Sequence, residues 1–185
     1  MHLLETYSVI SGATISQCFI EESEIQLPDK PYMTFHGYNP KGSGRQYRSW
    51  NTVIDLLLSN SNFNLEIIQI GGINDTKYNR INHNYLGKTS YNSLAYLIRF
   101  ATIHLGFDSL PVHLASHYNK KIVAIYAQYS NNTKPYFSKE SDVVLLEPDF
   151  TKTKPVFSHD DPFNLINTIL PGSIYDGVIS LLNIS

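Results

Sequence analysis

Apolar positions along this chain fall into two spacings, and the way they alternate predicts its elements. Leu3, Leu4, Tyr7, Val9 and Ile10 can line one face of a short helix, and Pro28 and Pro31 then bracket a break. Tyr32 to Phe35 is a short apolar run read as a strand. A glycine-containing loop follows from His36 to Arg48, and Trp50, Val53, Ile54, Leu57 and Leu58 recur at helical spacing. Leu65 to Ile70 is a second expected strand, stopping at Gly71-Gly72, and Asn84 to Leu86 a third, shorter one ahead of Gly87.

A helix is expected after each later strand. Ser90 can cap one carrying Leu94, Ala95, Leu97, Ile98 and Ala101. Thr102 to Leu105 reads as a strand ending at Gly106-Phe107-Asp108. Ser109 then opens a helix with Pro111 in its first turn, expected to run to Asn119. Lys121 to Ala127 reads as a buried central strand and Val143 to Leu146 as the last one. A helical stretch around Phe163 to Ile169 and a Pro171-led helix with Ile174, Val178, Ile179, Leu181 and Leu182 complete the series.

Strands alternating with helices in this way imply right-handed crossovers and a mostly parallel sheet of about six strands covered on both faces. The expected class is α/β, a single Rossmann-like three-layer domain over residues 31–185, with residues 1–30 as an N-terminal helical or linker extension. In such a sheet ligands bind outside the carboxyl ends of the strands, where the strand order reverses. That directs attention to five loops: His36 to Arg48, Gly71 to Asn74, Gly87 to Thr89, Gly106 to Pro111 and Gln128 to Thr133.

Composition narrows the function classes. With 42% hydrophobic and 16% charged residues the chain is globular and not disordered, and 14 Lys+Arg against 16 Asp+Glu leave no basic tail for bulk nucleic-acid binding. No stretch reaches the ~18 apolar residues of a membrane span, and the N-terminus lacks a basic leader, so a cytoplasmic location is expected. Cys18 has no cysteine partner and is expected to be a buried, inert thiol.

Two loops carry candidate chemistry. Asp108 and Ser109 precede a helix, where free backbone N–H groups make an anion site, although the pair also fits simple capping. Lys41, Arg45 and Arg48 lie among Gly37, Gly42 and Gly44, which suits a phosphate-bearing ligand or an ordinary solvated loop. Gly87-Lys88-Thr89 lacks the earlier glycine of a P-loop, since Asn82 stands there, and His113 and His117, one helical turn apart, have no third metal ligand. His104, inside an apolar strand, reads as a satisfied core residue.

From about Pro31 onward the order of these pieces resembles the C-terminal half of family 9 glycosyltransferases, the ADP-heptose:lipopolysaccharide heptosyltransferases, which have the two-domain GT-B fold. Asp108-Ser109-Leu110-Pro111-Val112-His113-Leu114-Ala115 is similar to the family's Asp-Ser-Gly-Pro-x-His-Leu-Ala, with Leu110 in place of the glycine. Leu86-Gly87-Lys88-Thr89-Ser90-Tyr91, Gly71-Gly72 and Arg48-Ser49-Trp50 resemble three further stretches in the family's order.

The resemblance implies a glycosyltransferase-like protein that binds an NDP-sugar donor, with a nucleotide diphosphate as its ligand and no cofactor or metal. It implies a ligand-binding set of His36, Arg48, Gly71, Gly87, Lys88, Thr89, Asp108, Ser109, Pro111 and His113, and designates no catalytic residue. The family's acceptor half, with its carboxylate base, has no counterpart in residues 1–30, where Glu5, Glu21, Glu22, Glu24 and Asp29 sit in no recognisable catalytic context. Transfer is therefore expected to need a homo-oligomer or a separate acceptor-binding chain. The alternative is a non-catalytic module that binds or sequesters nucleotides.

Overall fold

In the computed structural model, which describes residues 1–37, 46–151 and 164–184, the strands form one sheet in which every neighbouring pair runs parallel. They are β1 (Tyr32–His36), β2 (Glu66–Gln69), β3 (His83–Asn84), β4 (Ile103–Phe107), β5 (Lys121–Ile125) and β6 (Val143–Leu146). The helices are α1 (Leu3–Ser11), α2 (Trp50–Ser59), α3 (Tyr91–Phe100), α4 (Leu110–His117) and α5 (Pro171–Leu182). The spatial order is β3-β2-β1-β4-β5-β6, so the direction of winding reverses between β1 and β4.

The period-2 alternation of the strands sorts the interior into two layers. Met33, Phe35, Ile67, Ile103, Leu105, Phe107, Val123 and Ile125 point to one face and pack with Trp50, Val53, Ile54 and Leu57 of α2 and Ile174, Val178 and Leu181 of α5. Ile68, Ile122, Ala124 and Tyr126 point to the other, against Ala95, Leu97 and Ile98 of α3 and Val112, Leu114 and Ala115 of α4. Trp50 anchors the first layer, fully buried between Phe35 and Tyr47 with both ring centroids at 5.0 Å. Burial of a large apolar side chain of this kind contributes about 1.5–3 kcal/mol.

Several expectations change. β4 extends through Gly106 and Phe107 because these continue the ladder opposite Ala124 and Ile125, whereas β5 ends at Ile125 and α4 at His117. β3 is the pair His83–Asn84, not Asn84 to Leu86, set by its register with Ile68 and Gln69. No α-helix follows β5. The connection holds only 3₁₀ turns at Ser130–Asn132 and Glu140–Asp142, since its polar run with Pro135 offers no apolar stripe to bury.

Cys18 is exposed, not buried. After α1 the chain runs without regular structure along the outside of α3 and α4, tied by Gln17 to the His117 carbonyl at 3.1 Å and by Glu22 to Arg99 at 2.9 Å and Tyr118 at 2.7 Å. α1 forms with His2 as its cap, yet no residue of the helix is buried. No helix among the described residues is long and apolar enough to cross a membrane.

Candidate functional site

The reversal of winding places the carboxyl ends of β1 and β4 side by side, with His36 in register with Gly106. Above them opens a cavity of about 650 Å³. Its walls come from four places. His36 ends β1, Gly71, Gly72 and Asp75 follow β2, and Phe107 to Pro111 join β4 to α4. Gly87, Thr89, Ser90, Tyr91 and Leu94 close it from the start of α3. Among the described residues no lysine or arginine lines it, and two carboxylates do.

Gly87 shows why part of this wall must lack a side chain. Its φ is +66°, and a Cβ there would lie 2.6 Å from the Cβ and 2.9 Å from the Cα of Ile73.

The two helices that abut the cavity begin differently. Ser90 caps α3 in the ordinary way, accepting from the Ser93 amide at 3.1 Å. Ser109 occupies the same position before α4 but makes no side-chain cap. Its hydroxyl donates to the Phe107 carbonyl at 2.8 Å and meets Nδ1 of His36 at 2.9 Å. The Asp108 amide donates to the Ile125 carbonyl, the Val112 amide to the Ser109 carbonyl, and Pro111 has no N–H, so among the described residues no hydrogen bond takes up the amides of Ser109 and Leu110.

On its other side, His36 sets Nε2 3.5 Å from Oδ2 of Asp75, an ion pair when the ring is charged. The same oxygen accepts the Gly72 amide at 2.8 Å. Asp75 is held below the usual carboxylate range, first by its hydrogen bond with His36 and further by the Gly72 amide, with burial opposing. Behind this cluster His104 is fully buried, with Nδ1 3.0 Å from Thr34 Oγ1 and Nε2 lacking a partner. It is a core residue, as expected, but only half satisfied.

Of the residues singled out from the sequence, the cavity brings together His36, Gly71, Gly87, Thr89, Asp108, Ser109 and Pro111. Arg48 is exposed just before α2, with its backbone amide on Asn167 at 2.8 Å, and does not line it. Lys88 is exposed and donates to the Asn84 carbonyl at 2.8 Å. His113 lies 3.8 Å from Asp108 and lines a second cavity, of about 280 Å³, with His2, Leu3 and Leu4. Lys41 and Arg45 fall outside the described residues.

Asp75, Ser90, Tyr91, Leu94, Phe107 and Leu110 line the cavity without having been chosen for it. The loop boundary drawn at Asn74 stops one residue before Asp75, and a carboxylate following a glycine pair after a strand was the available signal. Two of the upstream carboxylates serve structure. Glu5 accepts from the His2 amide at 2.9 Å and Glu22 pairs with Arg99. Among the described residues no group of three or more His, Cys, Asp or Glu could hold a metal ion.

Residues 50–163 match the sequence profile of glycosyltransferase family 9 (heptosyltransferase). No curated protein matches the sequence. Among solved structures, the ADP-heptose LPS heptosyltransferase II of E. coli is 14% identical, with 97% of this chain and 51% of that one covered at a TM-score of 0.60. A family 9 glycosyltransferase from Veillonella parvula is 14% identical, with 85% and 47% covered at 0.61. The dodecameric iron-containing heptosyltransferase TibC in complex with ADP-D-beta-D-heptose is 17% identical, with 88% and 48% covered at 0.60. At these identities the likeness establishes the fold, that of GT-B heptosyltransferases, and the chain spans about half the length of each.

Proposed function

Because the chain belongs to glycosyltransferase family 9, the heptosyltransferase family, we propose that its rim cavity binds a nucleoside diphosphate or an NDP-sugar donor. The observation that carries this is the pair of amides, Ser109 and Leu110, that no hydrogen bond among the described residues takes up, beside a glycine-walled cavity where the sheet reverses. Amides at a helix start suit a phosphate oxygen, because the helix dipole adds to two neutral donors. A volume of about 650 Å³ suits a ligand of nucleotide-sugar size.

Charge divides the ligand. Asp75 and Asp108 would repel phosphate but can accept from ribose or sugar hydroxyls, so the hydroxyl-rich parts sit toward them. Arg48 and Lys88, outside the cavity wall, would offset the diphosphate charge from the rim, and His113, whose pKa burial lowers, would offer a neutral ring there. In this reading they complete the set formed by His36, Gly71, Gly87, Thr89, Asp108, Ser109 and Pro111.

Glycosyl transfer also needs an acceptor hydroxyl held in line and a base to take its proton. Asp75 is held below the ordinary carboxylate range, the wrong direction for such a base. Transfer is therefore assigned to an assembly in which a separate acceptor-binding chain or a second copy supplies those parts. That same depressed carboxyl favours the second reading, a module that binds nucleotides without chemistry.

A thermal-shift panel of ADP, UDP, GDP and their sugar conjugates, followed by hydrolysis and transfer assays on each hit, tests both. Absence of any hit removes the nucleotide reading, and a hit without turnover selects the second.

A further inference from the structure

We infer that the outer stripe of α1 is a self-association surface, on which a second copy of this chain docks its own α1 antiparallel. This holds whatever the rim cavity binds.

α1 is amphipathic in the reverse sense for a helix lying on its own domain. Leu3, Leu4, Tyr7 and Ile10 recur at i, i+1, i+4 and i+7, which on a helix is one stripe. All four face solvent, with exposures of 43%, 38%, 58% and 77%. The half-buried positions are polar instead. Glu5 accepts the His2 amide, Thr6 donates to the His2 carbonyl at 3.2 Å, and Ser8 donates to the Ala13 carbonyl at 2.6 Å. His2 ties the helix to the body, its Nε2 2.9 Å from the Lys134 carbonyl. A helix of nine residues is too short to persist in water on propensity alone, and packing of its apolar face is what ordinarily stabilises it.

The stripe is complementary to itself. At the start of α1, Leu3 and Leu4 join His113, Tyr136 and Phe137 around the second cavity, of about 280 Å³. At the far end Ile10 protrudes, about 10 Å along the axis from Leu3. A two-fold axis at Tyr7 sets each copy's Ile10 against the other's Leu3 and the apolar cavity beside it. Knob and hole thus come from one patch, as an isologous interface requires. Glu5, the one charged side chain of α1, is half-buried and bonded, so two copies meet without like-charge contact. The absence of Lys and Arg from α1 argues against an anionic membrane as the occupant, since interfacial helices carry basic residues. With the exposed Met1 and Val9 beside it, the stripe approaches the ~800 Å² per partner that a stable interface buries.

Sedimentation velocity of the full chain between about 1 and about 100 µM should show a monomer–dimer equilibrium. Ile10→Asp should weaken it by about a hundredfold, because each interface carries the new charge twice. Leu170→Asp, comparably exposed at the start of α5 on the other face of the sheet, should leave it unchanged. Ile10→Ser stands in if the Asp variant does not fold. Orientation is read by Tyr7→Cys in a Cys18→Ser background, which should form an intermolecular disulfide under an added oxidant. A chain that stays monomeric throughout would assign the stripe to a different partner and overturn the inference. So would a dimer that survives Ile10→Asp, an equal loss with Leu170→Asp, or a dimer that Tyr7→Cys does not cross-link.

Discussion

Gly106 of β4 stands against His36 of β1 so closely that a Cβ on it would lie 3.0 Å from the His36 carbonyl oxygen and 3.0 Å from Nε2 of the buried His104. The strand spacing at the reversal point thus depends on a missing side chain. Gly106→Ala is expected to destabilise the domain by about 1–3 kcal/mol, because the nearest atoms include backbone. Urea unfolding of the two proteins provides the measurement, and equal midpoints would mean that β1 and β4 separate without cost.

Leu110 follows Ser109 at the start of α4, and its half-exposed side chain lines the cavity beside its own amide and that of Ser109. A ligand approaching those amides has to pass it. Under the nucleotide reading, Leu110→Gly should tighten binding of an NDP-sugar by about fivefold as steric obstruction is removed. Calorimetry showing weaker binding would identify Leu110 as a contact that holds the ligand.

Arg48 acts, if the proposal holds, from outside the wall, where solvent screens its charge. Arg48→Ala should lower ADP affinity by about three- to tenfold at low salt and by less at high salt. Lys139→Ala, remote from the cavity lining, should change nothing. Identical losses for the two variants would remove Arg48 from the site.

The stability of the fold should fall in mild acid because of His104, which burial first, and the nearby His36 second, hold down at about 3. An unfolded histidine titrates near about 6.5, so between these values the unfolded chain binds the extra proton. The stabilisation is complete above the higher value and is lost as pH falls, by at most about 1.4 kcal/mol per pH unit from this group. Asp75, depressed below its ordinary value, adds its own loss only in stronger acid. Unfolding curves at about pH 7 and about pH 5 should differ for the wild type and converge for His104→Gln. An equal pH effect in both would place the acid sensitivity elsewhere.

Local patterning made the elements legible. The KIVAI run of β5, the Ser90 cap of α3 and the Pro171 start of α5 each follow from neighbours within a turn or a strand, which is the range over which periodicity and capping act. The same reasoning found the loops at the cavity and, through Asp108-Ser109-Leu110-Pro111, the family resemblance. It overestimated order between β5 and β6 and hid Cys18, because exposure of an irregular segment depends on what it runs across.

Strand order belonged to the tertiary structure alone. Hydrogen bonds between β1 and β4 juxtapose His36 and Ser109 across 73 positions of chain, and only that juxtaposition shows Ser109 bonded to His36 and Asp75 drawn to the ring. Composition and spacing say which residues can bond, whereas the choice among them is made by long-range packing that a local pattern does not encode.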